Sequence, residues 1–180
     1  HRGVLAAGRR PSPLSLERLM LPAAATAGRW IICPQITNQE NMGLVFRTAA
    51  GFGVDGILLG RRCCDPFSRR CLRTSMGAVF HMPLVRCDDL LGDLRELRHR
   101  WGVELFAAVL DPRAERLADV CWPPRAGLLL GHEFEGLGPQ WLAECDRRVT
   151  IPMQPDTDSL NLGVAAGIFV YEMTRTARPR

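Results

Sequence analysis

Apolar positions along the chain fall into two patterns. Runs that are apolar at nearly every position have the length of buried strands, and they cover residues 30–33, 54–59, 105–110, 127–130 and 148–151. A further short strand is expected within 79–85, around His81 and Pro83. A strand with one face exposed to solvent alternates apolar and polar residues, whereas a strand buried on both faces is apolar throughout. These runs therefore predict a mostly parallel sheet that is covered on both faces.

Helices are predicted between the strands. The clearest covers 88–101, where an apolar side is formed by Leu90, Leu91, Leu94 and Leu97. The other helical patterns cover 15–20, 41–51, 65–75, 139–145 and 162–174. Asn38 or Asn41 is the expected cap of the helix over 41–51. This alternation of strands and helices predicts an α/β fold with helices on both faces of the sheet.

The composition changes near residue 28. Residues 1–28 are rich in Arg, Pro, Ala and Gly, and we interpret them as a linker or arm in front of a single domain over 29–180. Simple disorder is the alternative interpretation. Because the chain begins with His1 rather than Met, we expect a segment in front of it, such as the end of a substrate-binding domain.

Charge and cysteine content narrow the classes of protein. The net charge is +4, and all 23 basic residues are arginines. We attribute this bias mainly to the codons of a GC-rich genome; a preference for guanidinium–phosphate contacts is the alternative, and the two explanations are compatible. The seven cysteines include no CxxC pair, so we expect reduced thiols rather than a metal site or disulfides. With neither a signal peptide nor a membrane span in evidence, a cytoplasmic protein is predicted for a bacterial source, and a mitochondrial one is the alternative for a eukaryote.

The segment 131–138, GHEFEGLG, directly follows a predicted strand. Its three glycines permit tight turns and close approach of a ligand to the backbone, and Glu133 and Glu135 add carboxylates. In a parallel sheet, ligands bind beyond the carboxyl ends of the strands. We therefore interpret this segment as a ligand loop, with an ordinary glycine turn as the alternative.

Two further segments carry polar side chains beside apolar helices. Arg47 follows three apolar residues, so we expect it to be partly buried and paired with Glu133 or with a phosphate; the alternative is a surface arginine whose stem lies along the protein. Ser159 and Asn161 precede the last helix, where a cap is the common role. Within that helix the spacing of Gly163 and Gly167 predicts close packing against a loop or a second subunit.

Other catalytic patterns do not occur. The sequence contains no P-loop, no GxSxG and no HExxH motif, and its four histidines have no evident Ser or Cys partner. Hydrolase and metalloenzyme functions are therefore disfavoured, as is a generic nucleotide-binding α/β protein.

Taken together, the three segments resemble the SpoU/TrmH-type RNA ribose 2′-O-methyltransferases of the SPOUT superfamily. The resemblance covers about residues 30–175, and the family's three motifs are matched by Asn41, Gly43 and Arg47, by Gly131, Glu133, Gly136 and Leu137, and by Ser159, Leu160 and Asn161. The segment 75–78 also resembles a family segment. His132 departs from the family pattern, since many members carry Asn there. The first residues, HRGV, resemble the point where some members leave an N-terminal RNA-binding domain.

The resemblance implies a parallel sheet whose C-terminal segment forms a trefoil knot, and a homodimer. It implies S-adenosylmethionine as cofactor, contacted by Gly131, Ile151 and Leu160, and it requires no metal. The residues that match the catalytic positions are Asn41, Arg47, Glu133, Ser159 and Asn161. Arg47 would act either as the base for the ribose hydroxyl or as an electrostatic stabiliser, and both roles stay open.

The implied activity is methyl transfer to a ribose 2′-hydroxyl of structured RNA. Ribosomal RNA is preferred over transfer RNA because of the HRGV start. The arginines expected to contact RNA phosphates, which position an RNA without reading its sequence, are Arg61, Arg62, Arg69, Arg70 and Arg73. A catalytically silent RNA-binding scaffold of the same fold is the alternative function.

Overall fold

The computed structural model describes residue 3 and residues 8–20, 27–154 and 159–175. Its centre is a seven-stranded sheet in the order β3-β2-β1-β6-β4-β7-β5, in which every neighbouring pair is parallel. The strands are β1 (Gly28–Cys33), β2 (Gly56–Leu59), β3 (Leu84–Arg86), β4 (Glu104–Ala108), β5 (Glu115–Arg116), β6 (Arg125–Leu129) and β7 (Arg147–Thr150). The prediction of an α/β fold with a parallel sheet is confirmed.

Helices cover both faces of this sheet. They are α1 (Leu16–Met20), α2 (Gln39–Phe52), α3 (Arg69–Thr74), α4 (Leu90–His99), α5 (Pro139–Glu144) and α6 (Leu162–Arg175). Helices α2, α3 and α6 pack on one face, and α1, α4 and α5 pack on the other. No helix in the part of the chain described here is long and apolar enough to cross a membrane.

The central strand β1 shows why the strands are apolar at every position. Ile31 and Cys33 belong to the hydrophobic core beneath α2 and α6, whereas Trp30 and Ile32 belong to the core beneath α4. Successive side chains of a strand point to opposite faces, and here both faces are buried.

Two predicted elements differ in the structure. The strand expected within 79–85 begins only at Leu84, and the residues before it form a 3₁₀ turn, Ala78–Phe80. Pro83 has no N–H to give to the ladder, although its carbonyl accepts from Ile57. The helix expected over 65–75 begins at Arg69, because the Ser68 hydroxyl caps it by accepting from the Cys71 N–H.

The arm before β1 packs onto the domain where it is described. Leu14 pairs with Val85 beside the edge strand, and Leu16, Leu19 and Met20 are buried. Its role as an arm behind a further domain stays a prediction, and residues 1–2, 4–7 and 21–26 lie outside the described residues.

Arg29 fastens the C-terminal end of α6 to the sheet. It is 5% exposed, and its guanidinium donates to the carbonyls of Met173, Gly28 and Pro124. Burial lowers the pKa of Arg29, and the nearby carboxylate of Asp55 opposes this shift. Cations suit a helix C-terminus, where carbonyls lack partners.

Gly43 is the contact point between α2 and α3. A Cβ atom there would lie 2.7 Å from Cβ of Thr74 and 2.9 Å from the carbonyl oxygen of Cys71. Gly43 therefore lets α3 pack closely against α2.

We expect Gly43→Ala to destabilise the protein by about 1–3 kcal/mol, because backbone must move to admit the methyl group. Gly51→Ala is the matched control in the same helix: nothing lies within 4 Å of its added Cβ. That variant should be stabilised by roughly 0.5 kcal/mol, since alanine loses less backbone entropy in a helix. Urea unfolding measures both, and equal stabilities would contradict the packing described.

Candidate active site

The carboxyl ends of β1, β6 and β7 bring three loops to one edge of the sheet. Helix α2 starts at this edge, with Asn38 as its N-cap, accepting from the N–H groups of Glu40 and Asn41. Asn161 caps α6, because its Oδ1 accepts from the N–H groups of Gly163 and Val164. Of the two caps considered for each helix, the structure selects Asn38 and Asn161.

A chain of hydrogen bonds joins these elements through Asn41. Asn161 Nδ2 donates to Asn41 Oδ1 at 3.0 Å, and Asn41 Nδ2 donates to Glu133 Oε1 at 3.3 Å. The same carboxylate oxygen accepts from the N–H of Asn38 at 3.1 Å. Three of the predicted site residues, which are up to 120 positions apart in sequence, are therefore in direct contact.

The loop 131–138 turns back on itself. His132 and Gly136 exchange two backbone hydrogen bonds, and Gly136 has a positive φ of 67°. A Cβ on Gly131 would lie 2.3 Å from the carbonyl carbon of Gly136, so only glycine fits. The glycines thus let the loop fold tightly onto itself, and the interpretation as a ligand loop stays a prediction.

His132 holds the inside of that loop. Its Nδ1 accepts from the N–H groups of Phe134 and Glu135 at 3.3 and 3.4 Å. This assigns the ring proton to Nε2, which lies 3.4 Å from Thr37 Oγ1 and 3.7 Å from Glu133 Oε2. Glu133 Oε2 is buried and has no hydrogen-bond partner among the described residues. The carboxylate thus keeps one acceptor unused.

A cleft of about 450 Å³ lies beside the network. All three residues predicted to contact a cofactor, Gly131, Ile151 and Leu160, line it, together with Glu133 and Ser159. Their role in binding stays a prediction. The cleft wall also contains residues that sequence reasoning missed, namely Asp111, Phe134, Arg148 and Met153. Asp111 could have been found, because it comes shortly after strand β4 at the same sheet edge.

Comparison with known proteins gives the family. A sequence model of the SpoU rRNA Methylase family matches residues 29–171. This chain belongs to that family.

Relatives and solved structures agree with the assignment to the SpoU family. An uncharacterized tRNA/rRNA methyltransferase of Mycobacterium bovis is 37% identical over 179 residues, which covers 98% of this chain and 60% of that protein. The 23S rRNA (guanosine(2553)-2'-O)-methyltransferase RlmP of Bacillus subtilis is 30% identical over 149 residues, or 83% of this chain and 59% of that one. The chain thus spans about 60% of the length of these curated relatives.

Two SpoU-type crystal structures superpose on most of the chain. The SpoU methyltransferase AviRb from Streptomyces viridochromogenes has a TM-score of 0.74 and 28% identity, covering 83% of this chain and 59% of that one. The AdoMet-bound rRNA methyltransferase from Sinorhizobium meliloti has a TM-score of 0.74 and 29% identity, covering 84% and 57%.

The position of Arg47 differs from the expectation. Arg47 is exposed and makes no hydrogen bond or ion pair with any described residue, so a partly buried arginine paired with Glu133 is wrong for this structure. The buried side of α2 carries Asn41, Val45 and Ala49, and position 47 points away from that side. Glu133 instead pairs with Asn38 and Asn41. Arg47 is a surface arginine in the family's first motif.

The five arginines predicted to contact RNA are all exposed. Arg61 pairs with Asp88 at 3.3 Å, and Arg70 pairs with Glu40 at 2.7 Å. The side chains of Arg62, Arg69 and Arg73 form no ion pair with the described residues. Contact with RNA stays a prediction for all five.

The seven cysteines are free thiols. Burial raises the pKa of Cys33 well above its usual range, and it raises the pKa of Cys63 to about 11 and of Cys71 to about 12. These three thiols stay protonated near neutral pH, so they behave as buried apolar groups.

The two glycines of α6 have different surroundings. A Cβ on Gly163 would lie 2.5 Å from Cδ1 of Leu44, so this glycine lets α6 approach α2 closely. Gly167 has nothing within 4 Å of a built Cβ. Close packing therefore occurs at Gly163, where the partner is helix α2 rather than a loop, and contact of Gly167 with a second subunit stays a prediction.

We expect Asn161→Ala to lower the free energy of unfolding by about 2 kcal/mol, because it removes a helix cap and leaves a buried acceptor of Asn41 without its donor. Ser159→Ala is the control, since Ser159 forms no hydrogen bond with the described residues; its stability should stay within about 0.5 kcal/mol of the wild type. Chemical denaturation compares the two, and an unchanged Asn161→Ala variant would show that the network contributes nothing.

Proposed function

We propose that this chain is the catalytic domain of an S-adenosylmethionine-dependent RNA methyltransferase that methylates a ribose 2′-hydroxyl. The proposal is carried by the contact of Glu133, Asn41 and Asn161 beside the cleft at the carboxyl edge of the sheet. Family membership supports the reaction type. RlmP of Bacillus subtilis, a relative, is named as a 2'-O-methyltransferase of 23S rRNA.

The cleft fits a cofactor of this kind. Its walls combine apolar side chains such as Ile151, Leu160 and Phe169 with the backbone of the 131–138 loop. Backbone N–H and C=O groups in such a loop bind adenine and ribose, and the apolar walls suit the rest of the molecule. When bound, S-adenosylmethionine supplies an electrophilic methyl group on a sulfonium. No step requires a metal ion.

The polar side chains serve the ribose. Bound S-adenosylmethionine would supply the methyl group to the ribose 2′-oxygen and would leave as S-adenosylhomocysteine, while the hydroxyl proton would pass to a phosphate of the RNA or to water. Glu133 and Asn41 hold each other in place, and Asn161 fixes them to α6, so that with Ser159 they form a polar wall for the ribose. This pre-organisation lowers the cost of orienting the substrate.

Arg47 acts on the developing charge. A guanidinium is a cation without an acceptor atom, so we assign Arg47 electrostatic stabilisation of the 2′-oxygen, helped by a substrate phosphate, rather than proton removal. Because Arg47 is exposed and unpaired among the described residues, it is free to contact the RNA.

We infer ribosomal RNA as the substrate class, in preference to transfer RNA. The matching family is described as rRNA methylases, and two relatives, RlmP and RlmB, are named for 23S rRNA. One solved structure of similar fold concerns 2-OH methylation of tRNA, so transfer RNA is the alternative substrate.

We infer a homodimer and a C-terminal trefoil knot, as in the family that the sequence resembles. The outer side of α6 supports the dimer: Val164, Ile168 and Tyr171 are 52%, 38% and 49% exposed and share one side of the helix with the open Gly167. Exposed apolar residues at this spacing suit contact with a second α6.

Arg47→Ala should abolish methyl transfer while S-adenosylmethionine still binds, because the residue lies outside the cleft lining. Transfer is measured with tritiated cofactor on ribosomal RNA, and binding by calorimetry. Arg18→Ala, at an exposed arginine of α1, is the control for lost surface charge and should keep full activity. Normal turnover in the Arg47→Ala variant would overturn its assignment. Absence of any binding heat in the wild type would favour the silent scaffold.

Ile168→Asp should convert the dimer into monomers, because a carboxylate in an apolar contact loses its hydration. Sedimentation velocity measures this. Met76→Asp, at a residue 74% exposed far along the chain from α6, should leave the dimer intact. A monomeric wild type would refute the dimer. A dimeric Ile168→Asp variant would refute the outer side of α6 as the contact between the two subunits.

A further inference from the structure

A second groove, of about 520 Å³, lies between the arm and the edge of the sheet. One wall is the arm, residues 10–14, and the other consists of residues 65–67 and 79–86. The arm is held in place there: the Leu14 N–H donates to the Leu84 carbonyl at 3.0 Å, and Arg10 pairs with Asp65 at 2.8 Å. The groove is therefore a built feature of the domain and depends on a segment in front of the family-matched residues.

Two phenylalanines form its floor. The rings of Phe67 and Phe80 lie 6.0 Å apart, and the Arg10 guanidinium covers Phe67 at 5.6 Å from the ring centre. Phe80 is 52% exposed and has no such cover. Leaving an aromatic ring in water is unfavourable, and a flat apolar partner would remove that cost. The exposed ring of Phe80 is therefore suited to stacking on a planar ligand.

The charges of the groove favour an anion next to that planar group. Its one carboxylate, Asp65, is already paired with Arg10. Arg86 is exposed, and among the described residues its guanidinium only donates to the Cys64 carbonyl, at 3.4 Å. An arginine without an ion pair among the described residues and an exposed aromatic ring therefore line the same groove, and together they match the phosphate and base of a nucleotide.

The groove also lies within reach of the candidate active site. Arg86 contacts Cys64, whose N–H donates to the Ile36 carbonyl at 2.8 Å. The next residues of that loop, Thr37 and Asn38, contact His132 and Glu133. The loop that contains Ile36, Thr37 and Asn38 therefore connects the groove with the candidate active site, so one RNA strand that crosses this loop can contact both.

We propose that the groove between residues 10–14 and 65–86 binds an unpaired nucleotide of the RNA substrate, with its base stacked on Phe80 and its phosphate on Arg86. The proposal rests on RNA being the substrate of the domain. A single strand is specified because a base inside a duplex has no free face for stacking. Residues 10–14 of the arm are then part of the RNA-binding surface.

Photo-crosslinking tests the contact directly. Single-stranded RNA of about 12 nucleotides with 5-iodouridine in place of uridine is irradiated with the whole chain, and the modified peptide is identified by mass spectrometry. We expect the adduct on Phe80, and we expect a duplex of the same sequence to give none there. An adduct confined to other residues, or equal labelling by the duplex, would overturn the proposal.

Two groove variants, each with a control variant outside the groove, measure the contribution of Phe80 and Arg86 to the affinity for RNA. Phe80→Ala should weaken single-strand binding by about 5- to 100-fold, as for loss of one stacked base, while Met76→Ala, also exposed but outside the groove, should not. Arg86→Gln should reduce the dependence of log affinity on log salt by about 1 relative to Arg116→Gln, on strand β5 at the far edge of the sheet. Unchanged affinity in both groove variants would refute the subsite.

Methyl transfer and sedimentation are measured on the same samples. Transfer by the wild type without any Phe80 adduct would contradict the groove and leave the proposed function standing. A Phe80 adduct without any methyl transfer would support the groove and contradict the proposed function. A Phe80→Ala variant that binds RNA normally but changes its oligomeric state would show that the groove takes a protein partner, and would overturn the proposal.

Discussion

The site depends on the hydrogen bonds of one buried amide. Asn41 is 5% exposed, and its side chain accepts from Asn161 and donates to Glu133. A buried amide without partners costs about 1–3 kcal/mol for each unpaired group, so the fold must keep all three side chains together. This fixes the starts of α2 and α6 against the loop that follows β6. The cleft and the polar wall adjoin each other because of that constraint.

Glycines make this convergence sterically feasible. Gly43 admits α3 to α2, Gly163 admits α2 to α6, and Gly131 lets its loop fold back on Gly136. Each removes a side chain where two backbones, or a backbone and a leucine, come into contact. The polar network and the close packing therefore depend on each other: the hydrogen bonds need distances that only these glycines allow.

Much of the fold could be predicted because the burial of apolar side chains, which drives folding, leaves a recognisable pattern within each short segment of the sequence. Strands buried on both faces must be apolar throughout, and this located five of the seven strands. Strand β5 has only two residues, Glu115 and Arg116, and carries no such pattern, while β3 was placed too early because Pro83 ends the turn rather than joining the ladder. The structure brings Asn41, Glu133 and Asn161 into contact, although the sequence predicted them only as residues of one site and their catalytic role stays a prediction. The exposure of Arg47 was missed, because apolar neighbours in sequence lie on other sides of a helix.

Helix α6 is secured at both ends by different chemistry. At its start, Asn161 binds it to the active-site edge, and at its end the buried Arg29 binds the carbonyl of Met173 to the opposite edge of the sheet. A helix of 14 residues is about 21 Å long, so these two anchors span the thickness of the domain. Both ends of the helix are therefore held by side chains from elsewhere in the domain. The position of Asn161 and its partners at one end of α6 thus depends partly on a buried arginine at the other end.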